Sequence, residues 1–249
     1  MGEVIEFSAG GYSFLRGVSQ YSGGVSALPG FRLERARLRQ PLKLKDGFAV
    51  AEAYLRAAGR PLTAFAGCEL RSPAPFSEEG FVAFNEEYTQ TLAAWGLLTT
   101  GLNPVARSNV CPKIAPPPEP SIYAFSFTMP SDDPTPSFVI SGSAEVPEGH
   151  AAYRDHIVRR GDLSADGLRT KAQFVLCEME SRAGGLGFGW NDTTAVQVYT
   201  IHNLYPFLAD EIVSRGAARA GLTWHYNNPP VVDLEYEMDC RSIAVEHVI

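Results

Sequence analysis

The sequence predicts an α/β protein made of two successive, diverged copies of one small module, each a β-sheet with two helices packed on one face. Three observations lead there. Strand-like and helix-like segments alternate in the same order in both halves, the pattern of helices layered on a sheet. Landmark residues recur at a nearly constant offset: Ala57-Ala58-Gly59 answers to Arg182-Ala183-Gly184 and Gly96 to Gly221, with Ser22-Gly23 and Ser141-Gly142 slightly closer together. Asp, Pro and Thr dominate residues 131–136, a boundary that divides the chain into 1–132 and 133–249.

In the first half, apolar segments at 17–22 and 31–38 flank a turn rich in glycine and proline (Gly23, Gly24, Pro29, Gly30). Arg32, Arg35, Arg37 and Arg39 alternate with apolar residues and read as the wet face of a strand. A helix is expected over 47–58, where Phe48, Ala51, Leu55 and Ala58 recur at spacings of three and four and Gly59 stands at the C-cap position. A strand at 62–71 follows. Next comes a helix that Ser77 caps, with Glu78 and Glu79 at its positive end and Phe81, Phe84, Tyr88, Leu92 and Trp95 as its buried stripe. Gly96 ends it, and a strand at 123–129 closes the half.

The second half repeats this order. Residues 137–143 form an apolar strand ending in Ser-Gly. A helix over 164–182 carries Leu168, Ala172, Val175, Leu176 and Met179 on one face and stops at Gly184-Gly185. A strand at 194–201, a helix at 205–220 and a last strand at 231–243 complete it. The glycine-rich run 184–189 follows a helix and precedes a strand, so it is a helix end and loop. A phosphate cradle would need the opposite order.

Composition narrows the function. The 249 residues are 45% apolar and 20% charged, with a net charge of −7, so clustered basic charge for nucleic acid is missing. No apolar run approaches the ~20 residues of a membrane span. The start carries Glu3 and Glu6 and no apolar leader segment. Cys68, Cys111, Cys177 and Cys240 are far apart and have no metal-ligand spacing. The expectation is a cytoplasmic protein with reduced thiols, no metal or other cofactor, and no nucleic-acid or membrane partner.

Val105-Ala106-Arg107-Ser108-Asn109-Val110 resembles the Ala-Arg-Ser-x-Val motif of the Rid (YjgF-type, reactive intermediate deaminase) family, which also lies just after the second helix. Gln20-Tyr21-Ser22-Gly23-Gly24 and Val139-Ile140-Ser141-Gly142-Ser143 are similar to its early strand ending in a Ser-Gly turn. Leu234-Glu235-Tyr236-Glu237-Met238-Asp239 resembles its glutamate-bearing final strand. The resemblance implies two fused Rid-like domains, barrel-like trimer packing of the chorismate mutase type with clefts between domains, and a homo-oligomer (a trimer or a multiple of it). It also implies hydrolysis of enamines or imines to ketones and ammonia. Neither half carries a complete set: the first lacks the glutamate, and the second has Trp224-His225-Tyr226-Asn227-Asn228 in place of the arginine motif. Either the halves complement each other across one cleft, or some sites are dead.

Arg107 is the principal candidate, because a guanidinium fork matches a carboxylate in two bonds and would hold a small-molecule 2-imino or 2-enamino acid beside its C=N carbon. Glu237 is the candidate proton carrier. Strand alternation puts it on one face with Glu235 and Asp239, which also fits a solvated acidic face. His225 is a candidate acid or base. Ser22 and Ser141 are candidate substrate-binding residues at Ser-Gly turns, and Tyr123 is a candidate wall of an apolar cleft. Cys111 reads as a small buried hydrophobe, lacking a base that would activate its thiol. The function that the resemblance implies is a hydrolytic deaminase of a 2-aminomuconate-like acid that yields ammonia and a 2-keto or enol acid. The alternatives are a chorismatase-like enzyme and a non-catalytic protein that binds carboxylate metabolites.

Overall fold

The computed structural model describes residues 2–98, 101–133, 135–149 and 153–249. The chain opens with three short strands, β1 (Val4–Phe7), β2 (Tyr12–Leu15) and β3 (Gly24–Ala27), followed by the long β4 (Phe31–Lys43) and helix α1 (Leu44–Ala57). Strand β5 (Phe65–Arg71), helix α2 (Glu78–Ala94), β6 (Ala106–Pro112) and β7 (Ser121–Pro130) complete the first half. Then come β8 (Phe138–Ala144), α3 (Ala165–Gly185), β9 (Ala195–Tyr199), the short α4 (Tyr205–Phe207), β10 (Leu222–His225), β11 (Asn227–Asn228), β12 (Glu237–Ser242) and β13 (Glu246–Val248).

These strands form two sheets, in the orders β1-β2-β3-β8-β12-β9-β10 and β11-β6-β5-β7-β4-β13. Each sheet borrows from the other half of the chain. The first three strands join the sheet of the second half through the antiparallel pair β3–β8, while β11 and β13 extend the sheet of the first half. The sheets also meet where Ser22 bridges Ala106 and its N–H donates to the Val105 carbonyl.

Helices α1 and α2 cover the sheet that holds β4–β7 through an aromatic cluster in which Phe48 packs edge-on to Trp95 at 5.3 Å and Phe65 stacks on Phe125 at 5.8 Å. Burying each such side chain stabilises the fold by ~1.5–3 kcal/mol. The Ser77 hydroxyl accepts from the Gly80 N–H as expected of a cap, and Gly59 and Gly96 take the left-handed conformation (φ 68° and 73°) that ends α1 and α2. Helix α3 packs its Leu168, Val175, Leu176 and Met179 stripe into a second core with Val196, Val198 and Met238.

Several expectations are corrected. The helix over 205–220 is broken: α4 passes into a π-turn over Leu208–Val213 and then into turns, and Gly216 sits at φ 91°, where a regular helix cannot continue. Thus the second half has one long helix rather than two. Residues 17–22 are loop between β2 and β3, and Ser141-Gly142 lies within β8 rather than at its end. The last strand begins only at Glu237, because Asp233 takes φ 73° and the Glu235 and Tyr236 N–H groups donate to the Glu145 carboxylate instead of a neighbouring strand. Arg35 is not wet: it is buried and ion-paired to Glu69 at 2.6 Å and Glu246 at 2.5 Å. The acidic face of β12 is not solvated either, since Glu237 and Asp239 are each only 4% exposed.

Candidate active site

Arg107 lies on β6, which runs parallel to β5 and places it beside Cys68. Its backbone N–H donates to the Ser141 hydroxyl (3.0 Å), which in turn donates to the Ser22 carbonyl (2.6 Å). The two predicted serines therefore fix the arginine's strand across the junction of the sheets, and neither lines the pocket. The Arg107 side chain runs towards α2. There its Nη1 donates to Asn85 Oδ1 at 2.6 Å, and its guanidinium lies 4.6 Å from the Tyr21 ring, 5.1 Å from Tyr88 and 5.5 Å from Phe81. Aromatic faces stabilise the cation without neutralising it. Among the described residues no carboxylate forms an ion pair with it, although the group is only 4% exposed. A buried charge without a partner is costly, and a bound anion would relieve it.

The cavity it faces takes in about 490 Å³, counting the open solvent at its mouth. Glu237, from the second half, lines the same cavity. Burial, with the Asp239 carboxyl adding repulsion, pushes the Glu237 carboxyl well above the ordinary range; Arg107 opposes this more weakly. Its approach depends on Gly142: a Cβ built there would fall inside contact distance of Glu237 Oε1.

Glu148 also lines the cavity, and there it accepts from the Tyr21 hydroxyl (2.7 Å) and pairs with Arg182 (2.9 Å). Arg182 reaches in from α3 and donates to the Ser141 and Gly142 carbonyls, both at 3.2 Å. One arginine is thus saturated and the other is available. Phe81, Val146, Val231 and Leu234 supply an apolar wall, with Tyr153 and Asn109 as further polar lining.

Two other predicted residues lie elsewhere. His225 stacks on Tyr199 at 5.0 Å, and burial together with the Arg71 charge lowers its pKa to about 4. Tyr123 lies under the guanidinium of Arg71 at 4.1 Å. Neither lines the cavity that holds Arg107 and Glu237. Cys111 is buried and burial raises its thiol to about 12, an unreactive packing group.

Sequence reasoning passed over Asn85, Glu148, Arg182, Gly142 and Tyr153. Only Asn85 carried a local signal: it is a polar residue inside the apolar stripe of α2, where Phe81, Phe84 and Tyr88 surround it.

A buried guanidinium without a carboxylate partner and a carboxyl whose affinity for its proton is raised, brought together from the two halves of the chain, equip a cleft to bind an anion and move a proton. Comparison with known proteins gives this a class. A family model described as 2-aminomuconate deaminase CnbZ matches residues 4–247. A Comamonas testosteroni protein named 2-amino-5-chloromuconate deaminase is 47% identical over 251 residues, covering 100% of both chains. Both define a deaminase, an enzyme acting on C–N bonds. The chain belongs to the 2-aminomuconate deaminase CnbZ family. Among solved structures, a chorismatase covers 96% of this chain and 79% of its own at a TM-score of 0.52 and 14% identity, a likeness that shows the fold alone. The YjgF gene product of E. coli covers 43% of this chain and 80% of its own, at a TM-score of 0.30 and 14% identity.

Proposed function

We propose that the chain hydrolyses the C–N bond of a 2-aminomuconate-like enamine acid, consuming water and releasing ammonia and a 2-keto or enol acid. One observation carries the reading: a buried arginine without a carboxylate partner shares a cavity with a buried carboxyl whose affinity for its proton is raised. Arg107 holds the carboxylate next to the amino-bearing carbon by a forked pair of charge-assisted hydrogen bonds. Protonated Glu237 gives its proton to the enamine carbon, so the C=C electron pair forms the new C–H bond and the nitrogen lone pair forms C=N. Water then adds to the iminium carbon, and the carboxylate left on Glu237 takes up the proton that water releases. Transfer of that proton to the nitrogen and collapse of the carbinolamine expel ammonia, and the carbinolamine hydroxyl gives its proton back to Glu237 as the ketone forms. A group that serves as acid and then as base works best with a pKa brought up towards the working pH, which is the direction imposed on Glu237.

The wall of Phe81, Val146, Val231 and Leu234 suits the hydrocarbon of a diene and accommodates a halogen such as that in the relative's named substrate. The two-module division at 132/133, a cytoplasmic setting and assembly into a trimer or a multiple of it belong to the same reading. The last is checked by the solution mass.

The test is ammonia release from 2-aminomuconate generated enzymatically in the cuvette. Charge-assisted hydrogen bonds contribute roughly 1.5–3 kcal/mol each, so Arg107→Ala should lower kcat/KM by about 100-fold or more. Arg107→Lys should not restore it, because an ammonium lacks the planar fork. Normal turnover by the Ala variant would overturn the assignment.

A further inference from the structure

Asn109 is not accounted for by the chemistry above. It lies on β6 two residues beyond Arg107, is only 3% exposed and lines the same cavity. Its Oδ1 accepts from the Ser72 hydroxyl at 2.9 Å. Ser72 is itself fully buried and tied to β6 through its N–H, which donates to the Val110 carbonyl at 2.9 Å. This anchors one end of the amide. Asn109 Nδ2 is buried and has no hydrogen-bond partner among the described residues. A buried donor left unmade costs ~1–3 kcal/mol, and native structures keep few of them. Such a group in the wall of a cavity calls for an acceptor from outside the chain.

Strand geometry says where that acceptor lies. Arg107 and Asn109 project from the same side of β6, and two strand residues are separated by roughly 6.6 Å. Nδ2 can only donate. The guanidinium runs on towards α2 while the shorter Asn109 amide stays by Ser72, so a ligand held at one end by Arg107 must offer a second oxygen acceptor several ångströms from the first. An extended six-carbon diacid has carboxylates at about that separation; a monoacid of the same length ends there in a methyl group.

We infer that Asn109 determines specificity by donating its free Nδ2–H to the distal carboxylate of a dicarboxylate, so that the site selects diacids over monoacids of equal length. This deepens the deaminase reading and rests on it for the orientation of the ligand.

Muconate and sorbate, the hexadienoic diacid and monoacid, test it by calorimetric titration of the intact protein, independently of turnover. The unaltered protein should bind muconate at least about tenfold more tightly than sorbate, because a buried polar group left unpaired discriminates strongly. Asn109→Leu should remove most of that preference while leaving sorbate within about threefold. Asn109→Asp, nearly the same shape but carrying acceptors towards the carboxylate, should weaken muconate further still. Each variant's Tm is measured alongside. Equal binding of the two acids by the unaltered protein, or a preference that survives both substitutions, overturns the assignment. Ammonia release from 2-aminomuconate is assayed in parallel: its absence beside an Asn109-dependent diacid preference would sink the deaminase reading and leave this one standing.

Discussion

Replacing Lys171 by Met offers a strong test of how the site is held. Lys171 lies on the buried side of α3 and pairs with Glu145 at 3.0 Å, and both side chains are 0% exposed. At an effective dielectric constant of about 20, two unit charges at that distance attract by roughly 5 kcal/mol. Burial already lifts the Glu145 carboxyl above its usual range in spite of Lys171. Without the ammonium the carboxylate stands uncompensated in the interior, at a cost of ~3–5 kcal/mol. For a chain of this size each kcal/mol moves Tm by about 2–4 °C, so a fall of roughly 10 °C is expected near pH 8. The deficit should shrink towards pH 5, where Glu145 escapes the penalty by taking a proton. The same carboxylate accepts from the N–H groups of Glu235 and Tyr236, immediately before Glu237, so activity should fall as well. Thermal unfolding of both proteins at the two pH values is the assay. A Tm unchanged within about 2 °C at both, or a deficit that grows as pH falls, would refute the reasoning.

Three further outcomes are expected. Gly142→Ala pushes the Glu237 carboxyl aside and crowds the Ser108 hydroxyl, both side-chain ends rather than backbone, so turnover should drop at least about tenfold while Tm stays within roughly 3 °C; a parallel loss of both would mean that Gly142 serves the fold and not the carboxyl. Glu237→Gln should abolish ammonia release. Because the folded carboxyl holds its proton more tightly than the unfolded one, wild-type stability declines as pH rises above the ordinary carboxylate range. The Gln variant should therefore gain on it from pH 5 to pH 8 in urea unfolding, and a shrinking difference would contradict the burial argument. His225, lowered to about 4 from an ordinary 6.5, works in the opposite sense. The unfolded chain takes up the proton first, so stability is lost as pH falls through the window from 6.5 to 4, by on the order of 3 kcal/mol. His225→Gln should flatten urea midpoints across that window, and an unchanged slope would show that the imidazole is not what is felt.

Particular residues show how far the sequence could be read. Helix α2 was legible to its cap, because Ser77, the acidic first turn and the Phe81–Leu92 stripe are all local signals that tertiary context reinforced. Arg107 was legible from the motif around it. The helix over 205–220 was misread because its apolar spacing outlasts its backbone: Gly216 and the π-turn interrupt a pattern that periodicity alone carries through. β12 was misread in a more instructive way. Strict alternation of Glu235, Glu237 and Asp239 with apolar residues is the signature of a strand with one wet face. It is equally the signature of a strand whose polar face meets another polar interior, here Ser108 and Tyr199, whose hydroxyl donates to Asp239 at 2.8 Å.

The helices of the first half, the Ser77 cap of α2 and the motif that marks Arg107 were determined by the sequence itself, since each depends on neighbours within a few residues or on a fixed motif. Tertiary structure alone decided that β3 would pair with β8, that Glu148 would engage Arg182 and leave Arg107 free, and that Glu237 would be dry. The physical reason is that a charge's protonation and partnership are set by what lies within a few ångströms of it. In this chain many of those neighbours come from separate segments, as Glu148 and Arg182 do from a loop and α3 and Arg107 and Glu237 from the two halves, and no local periodicity records them.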